Sequence, residues 1–255
     1  MQATATPLDI RLMNVTAAVL FTVAALAFVW FAVSWVTRWP VFAIRAVRVD
    51  GDVARSSVTT IRANAAPKLA GNFFTIDLER TRQAFQSVPW VRHASVQRVW
   101  PDRLAVHLEE HRVAAYWGDH KLVNSFGEVF EANLGDVEDE DLPTLRGPDG
   151  SAAQVLQLYG PLNDLVARLD TRIDQLTLSA RGSWRAQLDS GAQLELGRGE
   201  PGEVLARAER FIATWNQVVA RYPGPLEYAD LRHHDGYAVR IKGITTSVPE
   251  SRKIN

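Results

Sequence analysis

The 255-residue chain has no cysteine, which removes disulfide staples, thiolate nucleophiles and cysteine-ligated zinc from consideration. Neither sign of charge is in excess, because 28 Lys and Arg stand against 29 Asp and Glu. A nucleic-acid binder ordinarily carries a basic surplus or stripe, so this balance sets that class aside. No segment repeats at a fixed period and none is of low complexity, which argues against solenoids and linker-like chains. Catalytic signatures are scarce too. Ser183 and Ser190 lie in no G-x-S-x-G elbow, and the acidic stretch GDVEDEDLP lacks the mid-loop glycine and terminal glutamate of an EF-hand.

What the chain does have is apolar material, at 47% of residues, enough for one or two folded domains. The most concentrated part is LMNVTAAVLFTVAALAFVWFAVSWVT, between Arg11 and Arg38, without a charged residue. As a helix it would reach about 39 Å, beyond the roughly 30 Å of a bilayer's hydrocarbon. Trp35 and Trp39 stand where an aromatic belt meets headgroups, and Pro40 supplies a stop. The run is longer than a signal-peptide core and no A-x-A-like site follows it, so it reads as a retained anchor. Flanking charges leave its orientation open: Arg11 is offset by Asp9 on one side, while Arg38, Arg45 and Arg48 lie on the other.

Beyond the anchor, FAIRAVRVDG alternates with period 2 and predicts a strand containing Phe42 and Ile44 as core residues. Ser56 or Ser57 is placed to cap a helix that Pro67 limits, and Asp77 to cap a second through Leu78, Arg82 and Phe85. VPWVRHASVQRVW and RLAVHLEE, joined at Pro101-Asp102, predict a hairpin. The unit is β-α-α-β-β over residues 42–112. A strand-rich region follows over 113–243, with hairpins in KLVNSFGEVFEA and in WRAQLDSGAQLELG, and closing strands in LEYADLR and GYAVRIKG. Helices are expected from about Ala153 to Leu169 and from about Glu203 to Tyr222, the second with Val204, Ala208, Phe211, Ile212, Trp215 and Val219 on one face. The fold class is α+β. It comprises a tail 1–16, a membrane helix 17–37, the two folded units and a polar tail 244–255.

Two motifs invite chemistry and lose it in context. His107, Glu110 and His111 spell the H-x-x-E-H of an inverted zinc peptidase. Leu104, Val106 and Leu108 nevertheless alternate with Ala105, His107 and Glu109, which is strand periodicity. On a strand the two histidines lie about 13 Å apart, against about 6 Å on a helix, so one zinc cannot take both. Gly197, Gly199 and Gly202 spell G-x-G-x-x-G, but the preceding strand belongs to a hairpin, and Glu200 and Glu203 oppose an anion at the helix start.

The chain resembles the FtsQ/DivIB family of bacterial division proteins from the anchor to about Gly243. The POTRA-like part is carried by Pro89-Trp90-Val91 and by the W-P-D-x-L turn at Trp100 to Leu104. LVNSFGEVF, LPTLRGP, LELGRGE and YADLRHHDGYAV carry the rest. Glu110, Ala115 and Trp117 fit the family's E-x-x-P-x-A-x-W, with Val113 where proline is common. The resemblance implies a cytoplasmic N-terminus, a periplasmic POTRA domain and β domain, and a single-pass protein of the inner membrane at the division septum. It implies a non-enzymatic scaffold without cofactor, metal or small-molecule substrate. Such a scaffold binds FtsB and FtsL, meets other divisome members through the POTRA domain, and helps restrain septal peptidoglycan synthesis.

In that family the partner adds a strand at the sheet edge near the C-terminus, which here falls on GYAVRIKG. The implied contact residues are Arg181, Tyr228, Arg232, His233, Asp235, Gly236, Tyr237, Val239, Arg240 and Ile241. Tyr228, Asp230, Leu231, Arg232 and Gly236 fit the pattern Y-x-D-L-R...G. Three positions depart from it: Gly182 stands where a second basic residue is common, His233 where an aromatic is common, and Ile241 near a common tryptophan. Two alternatives are weaker. A POTRA-bearing secretion or assembly component would be expected to carry more POTRA repeats and a barrel, and a metal-dependent hydrolase would need His107 and His111 together.

Overall fold

The computed structural model describes residues 8–51, 53–56, 58–65, 71–233 and 235–243. The expected polar tail 244–255, and Ser57 and Pro67 as helix cap and stop, lie outside these residues. The chain divides into two compact units, Met1–Glu110 and His111–Asn255.

The first unit opens with helix α1, Leu8–Thr37, which takes in part of the stretch read above as a tail. An uncharged run of Ala, Val, Leu and Phe leaves nothing to interrupt the helix. Its few hydroxyls turn back on the ladder: Thr16 donates to the Leu12 carbonyl at 2.9 Å, Thr22 to Ala18 at 2.8 Å and Ser34 to Phe31 at 2.8 Å. No polar hydrogen in these side chains is then offered to lipid. The helix is apolar on all sides and its large side chains are exposed, as a single membrane-spanning helix requires.

Strand β1, Ala46–Gly51, follows, then α2, Val58–Ala65, and α3, Leu78–Gln86, and the hairpin of β2, Val91–Val99, with β3, Arg103–Glu110. The sheet order is β1-β3-β2, with β1 parallel to β3. The β-α-α-β-β order is the expected one, and the strand alternation holds: Leu104, Val106 and Leu108 are buried while Arg103, His107 and Glu109 are exposed. Asp77 caps α3 through Oδ1, which accepts from the amides of Glu79 and Arg80 at 2.9 and 3.1 Å.

Two details correct the sequence reading. Residues Pro40–Phe42 form a 3-10 turn, so β1 starts at Ala46, and Phe42 and Ile44 are half-buried rather than core. The imino ring of Pro40 favours a turn start, and Phe42 spends its ring on neighbouring aromatics at the rim. Ser56 gives no cap. Its Oγ is buried without a hydrogen bond, and its amide donates to Glu110 Oε1 at 2.6 Å, while the Arg55 amide donates to Oε2 at 2.9 Å. Glu110 is thus a buried carboxylate that fastens the 55–56 loop to the end of β3. At the other end of that loop Gly51 is obligatory: its φ is +113°, and an added Cβ would stand 2.1 Å from the Leu108 carbonyl oxygen.

The second unit is built on one nine-stranded sheet. Its strands are β4, Val113–Trp117; β5, Lys121–Asn124; β6, Val129–Phe130; β7, Thr144–Arg146; β8, Ile173–Leu178; β9, Ser183–Leu188; β10, Gln193–Arg198; β11, Leu226–Asp230; and β12, Ala238–Ile241. Their order is β12-β11-β10-β9-β8-β7-β4-β5-β6. The expected hairpins β5–β6 and β9–β10 are antiparallel neighbours, and the two closing strands β11 and β12 pair antiparallel as well. Helix α4, Ala152–Val166, runs on into a 3-10 turn, Ala167–Leu169. Helix α5, Pro201–Arg221, packs against α4 and β10. The core joins the two helices to the sheet through Leu158, Leu162, Leu176, Trp184, Leu194 and Phe211. On α5 the predicted stripe is buried at Val204, Ala208, Phe211 and Ile212, but Trp215 and Val219 are only half-buried.

Candidate partner-binding edge

A carboxylate or phosphate site in the G-x-G-x-x-G stretch is foreclosed by its own chain. Gly197 has φ +80° and sits at a register shift of β10 against β9, and Gly199 has φ +133°. A Cβ at Gly199 would meet Glu203 Oε2 at 2.2 Å, so an acidic side chain lies over the start of α5, where a phosphate would have to bind. The histidine motif divides likewise. His107 Nδ1 pairs with Asp50 Oδ1 at 2.9 Å. His111 hydrogen-bonds Asn124 at 2.9 Å and stacks on Phe130, centroids 3.9 Å apart. Among the described residues no group of three or more His, Asp or Glu is arranged to hold a metal ion.

The sheet edge at β12 is different. Among the described residues β12 pairs on one side alone, with β11. The Lys242 amide donates to the Pro225 carbonyl at 3.0 Å. Strand alternation therefore turns the amides of Val239 and Ile241 away from β11, toward the open side. Their side chains stand off the face of the sheet that meets the core: Ile241 is buried and Val239 packs against the core. Ala238 and Arg240 are exposed, and the Arg240 guanidinium lies 5.9 Å from the centroid of the half-buried Tyr228 ring.

The loop from β11 to β12 holds the remaining candidates. Leu231 is core. Arg232 is tied to Asp230: Nε donates to Oδ1 at 2.8 Å and Nη2 to Oδ2 at 2.6 Å. The Arg232 guanidinium holds the Asp230 carboxyl down at about 2 and is itself raised in turn. His233, Asp235 and Gly236 are exposed. Tyr237 is half-buried, its ring edge-on to Phe211 at 5.0 Å and its hydroxyl 2.6 Å from Thr214 Oγ1 on α5. It therefore holds the loop against α5 rather than standing free.

Arg181, distant in sequence, joins this edge in space. With Arg198, Arg207 and Arg232 it lines an open cavity of about 520 Å³. Arg207 is spent on the backbone, its Nε donating to the Leu196 carbonyl at 2.9 Å. Arg181 and Arg198 are exposed and their side chains have no hydrogen bond or ion pair among the described residues. Gly197 makes the arrangement possible, since a Cβ there would come within 3.0 Å of Arg232 Cγ. Arg198 and Arg207 were missed from sequence. Only their closeness to the LGRG turn could have flagged them. The resulting site is an open strand edge with a cationic notch beside it, suited to an extended segment that carries carboxylates.

Family models match both units: "POTRA domain, FtsQ-type" over residues 42–111 and "Cell division protein FtsQ/DivIB, C-terminal" over residues 115–232. The chain belongs to the FtsQ/DivIB family of cell division proteins. Curated relatives agree along nearly the full length. The chain is similar to cell division protein FtsQ of Burkholderia pseudomallei, at 41% identity over 92% of this chain and 94% of that protein. It is also similar to FtsQ of Thiomonas arsenitoxydans, at 40% over 93% and 89%, and to FtsQ of Neisseria meningitidis, at 32% over 85% and 88%. Family membership and the one described helix long and apolar enough to cross a bilayer, Leu12–Thr37, fit a single-pass membrane protein of the division machinery.

Proposed function

We propose that the chain is a non-enzymatic scaffold of the divisome that captures FtsB, together with FtsL, by strand addition at β12. The observation that carries this reading is the unpaired β12 edge beside the arginine notch. Main-chain hydrogen bonds to the open side of Val239 and Ile241 supply affinity without regard to sequence. Arg181, Arg198 and the exposed face of Arg232 select a partner with acidic side chains beside its strand. Tyr237 and the Asp230–Arg232 pair hold the preceding loop in place for that contact. In this reading the N-terminus is cytoplasmic, both folded units are periplasmic at the septum, and partner capture helps restrain septal peptidoglycan synthesis.

The test is capture of FtsB and FtsL by the full chain in detergent, with amide hydrogen exchange on the complex. Protection gained at residues 238–241 is expected. Capture without any gain there places the contact elsewhere, and failure of capture removes the reading altogether. The cytoplasmic N-terminus is checked separately with reporter fusions at each end of the chain.

A further inference from the structure

The uncharged part of α1, Leu12–Thr37, would reach about 39 Å, against about 30 Å of hydrocarbon. Upright it would run about 9 Å into the headgroup layers, and tilted it would keep its ends at the two interfaces. At its C-terminal end Trp35 and Trp39 pack edge to face, centroids 4.9 Å apart, and both are exposed. The chain does not then pass into a free linker. The Trp39 amide donates to Val36, Phe42 to Trp39 and Ala43 to Pro40. The Phe73 amide donates to the Phe42 carbonyl at 2.9 Å, and the Asn72 side-chain amide donates to the carbonyl of Thr37. The loop bearing Phe73 and Phe74 is thus fastened to the last turn of the membrane helix.

Around this joint three separate segments bring their rings together. Phe42 comes from the turn after α1, Phe73 and Phe74 from the loop before α3, and Trp100 from the β2–β3 turn. Phe74 stands edge-on to Phe42 at 4.9 Å and to Phe73 at 5.2 Å, and Trp100 lies 5.5 Å from Phe73 and 6.0 Å from Phe42. Half the cluster is uncovered: Trp100 is 65% and Phe74 45% exposed, and Val41 and Val99 beside them are exposed too. A contiguous apolar patch of this kind marks a contact surface, and aromatic rings are the side chains that favour the bilayer interface. Arg45 and Arg103 border it with side chains 68% and 66% exposed, each sharing Asp102 only at 3.8 Å.

We propose that this aromatic foot is immersed in the phospholipid headgroup layer, so that the first folded unit is seated on the bilayer rather than tethered above it. The continuity with α1 names the occupant. The patch is hydrogen-bonded to the turn that ends the uncharged run, where Arg38 follows and the exposed Trp35 and Trp39 mark the headgroup layer. The proposal depends on α1 spanning a bilayer and not on which partners the second unit captures.

The cysteine-free sequence allows single nitroxide labels to be placed without background. Phe74→Cys, Trp100→Cys and Val99→Cys are labelled at the foot. His93→Cys, about 20 Å along β2 from Val99, is the aqueous reference. The full chain is reconstituted at one copy per nanodisc of phosphatidylcholine and phosphatidylglycerol, with no other protein present. Collision with a water-soluble nickel chelate is expected to be several-fold lower at the three foot positions than at 93, with oxygen collision correspondingly higher. Val99→Cys leaves all four rings in place, so loss of an aromatic cannot produce or hide the result. Equal nickel access at all four positions would overturn the proposal and assign the patch to a protein partner missing from the discs.

Discussion

Replacing Val239 by proline removes one amide hydrogen from β12 and, by strand alternation, removes it from the side that faces no other strand among the described residues. The ladder to β11 runs through the opposite amides, exemplified by Lys242 donating to Pro225 at 3.0 Å, and stays intact. A captured strand loses one hydrogen bond, worth about 0.5 to 1.5 kcal/mol net, and its orphaned carbonyl adds a further 1 to 3 kcal/mol. The sum of about 1.5 to 4.5 kcal/mol corresponds to an affinity for FtsB/FtsL weaker by about tenfold to about two-thousandfold. Val239→Ala separates backbone from side chain, because it keeps the amide while trimming a half-buried group packed on the core. Capture by that variant should change only a few-fold, while its thermal stability falls. The measurement is titration of the partner pair onto immobilised full-length chain, with a thermal melt of each variant as the folding check. Wild-type affinity from a folded Val239→Pro chain would refute strand addition at this edge.

Four further outcomes follow from contacts described above. Arg181→Glu should weaken capture at least tenfold with no loss of thermal stability, since Arg181 has no side-chain partner among the described residues. Arg232→Glu should destabilise instead, because it sets a second carboxylate against Asp230, and a difference in melting temperature between the two variants checks this. The Asp230 carboxyl is held at about 2 against an ordinary value of 3.8, so its stabilising contribution is complete above pH 4 and drains as pH falls toward 2. With the half-exposed Arg232 side chain screening the pair, this amounts to about 1 kcal/mol, and Asp230→Asn should flatten that arm of the acid-unfolding curve. Glu110→Ala leaves the amides of Arg55 and Ser56 without their acceptor and should cost about 2 kcal/mol, seen as a lower denaturant midpoint for the first unit.

The hairpins and the β3 strand were legible because their pattern is local: Leu104, Val106 and Leu108 alternate, and Asp189-Ser190-Gly191 fits a tight turn. The edge position of β12 came only through the family resemblance, because no local pattern tells an edge strand from an inner one. What lay beyond reach depended on distant parts of the chain. β7 enters between β8 and β4 through parallel pairings, and no periodicity encodes which strands flank it. Phe42 and Ile44 carry the right pattern for a core strand, yet Pro40 and the end of α1 make that stretch a turn. The notch escaped because its four arginines come from the β8–β9 turn, β10, α5 and the β11–β12 loop, which meet only once α5 has packed on the sheet. Glu110 was recognised as a motif position, but its task, holding two amides more than fifty residues away, has no sequence signature.

The basic character of the notch bears also on what the edge avoids. An unpaired strand is a template for any other unpaired strand, that of an identical chain included. Edge-to-edge pairing of two copies would bring the notch arginines Arg181, Arg198 and Arg232 of each, with Arg240 on the strand itself, toward a surface carrying the same charges. β12 is only four residues long, so it offers few backbone bonds to set against that repulsion. The arginines that would draw in an acidic partner therefore also guard the protein against zipping to itself.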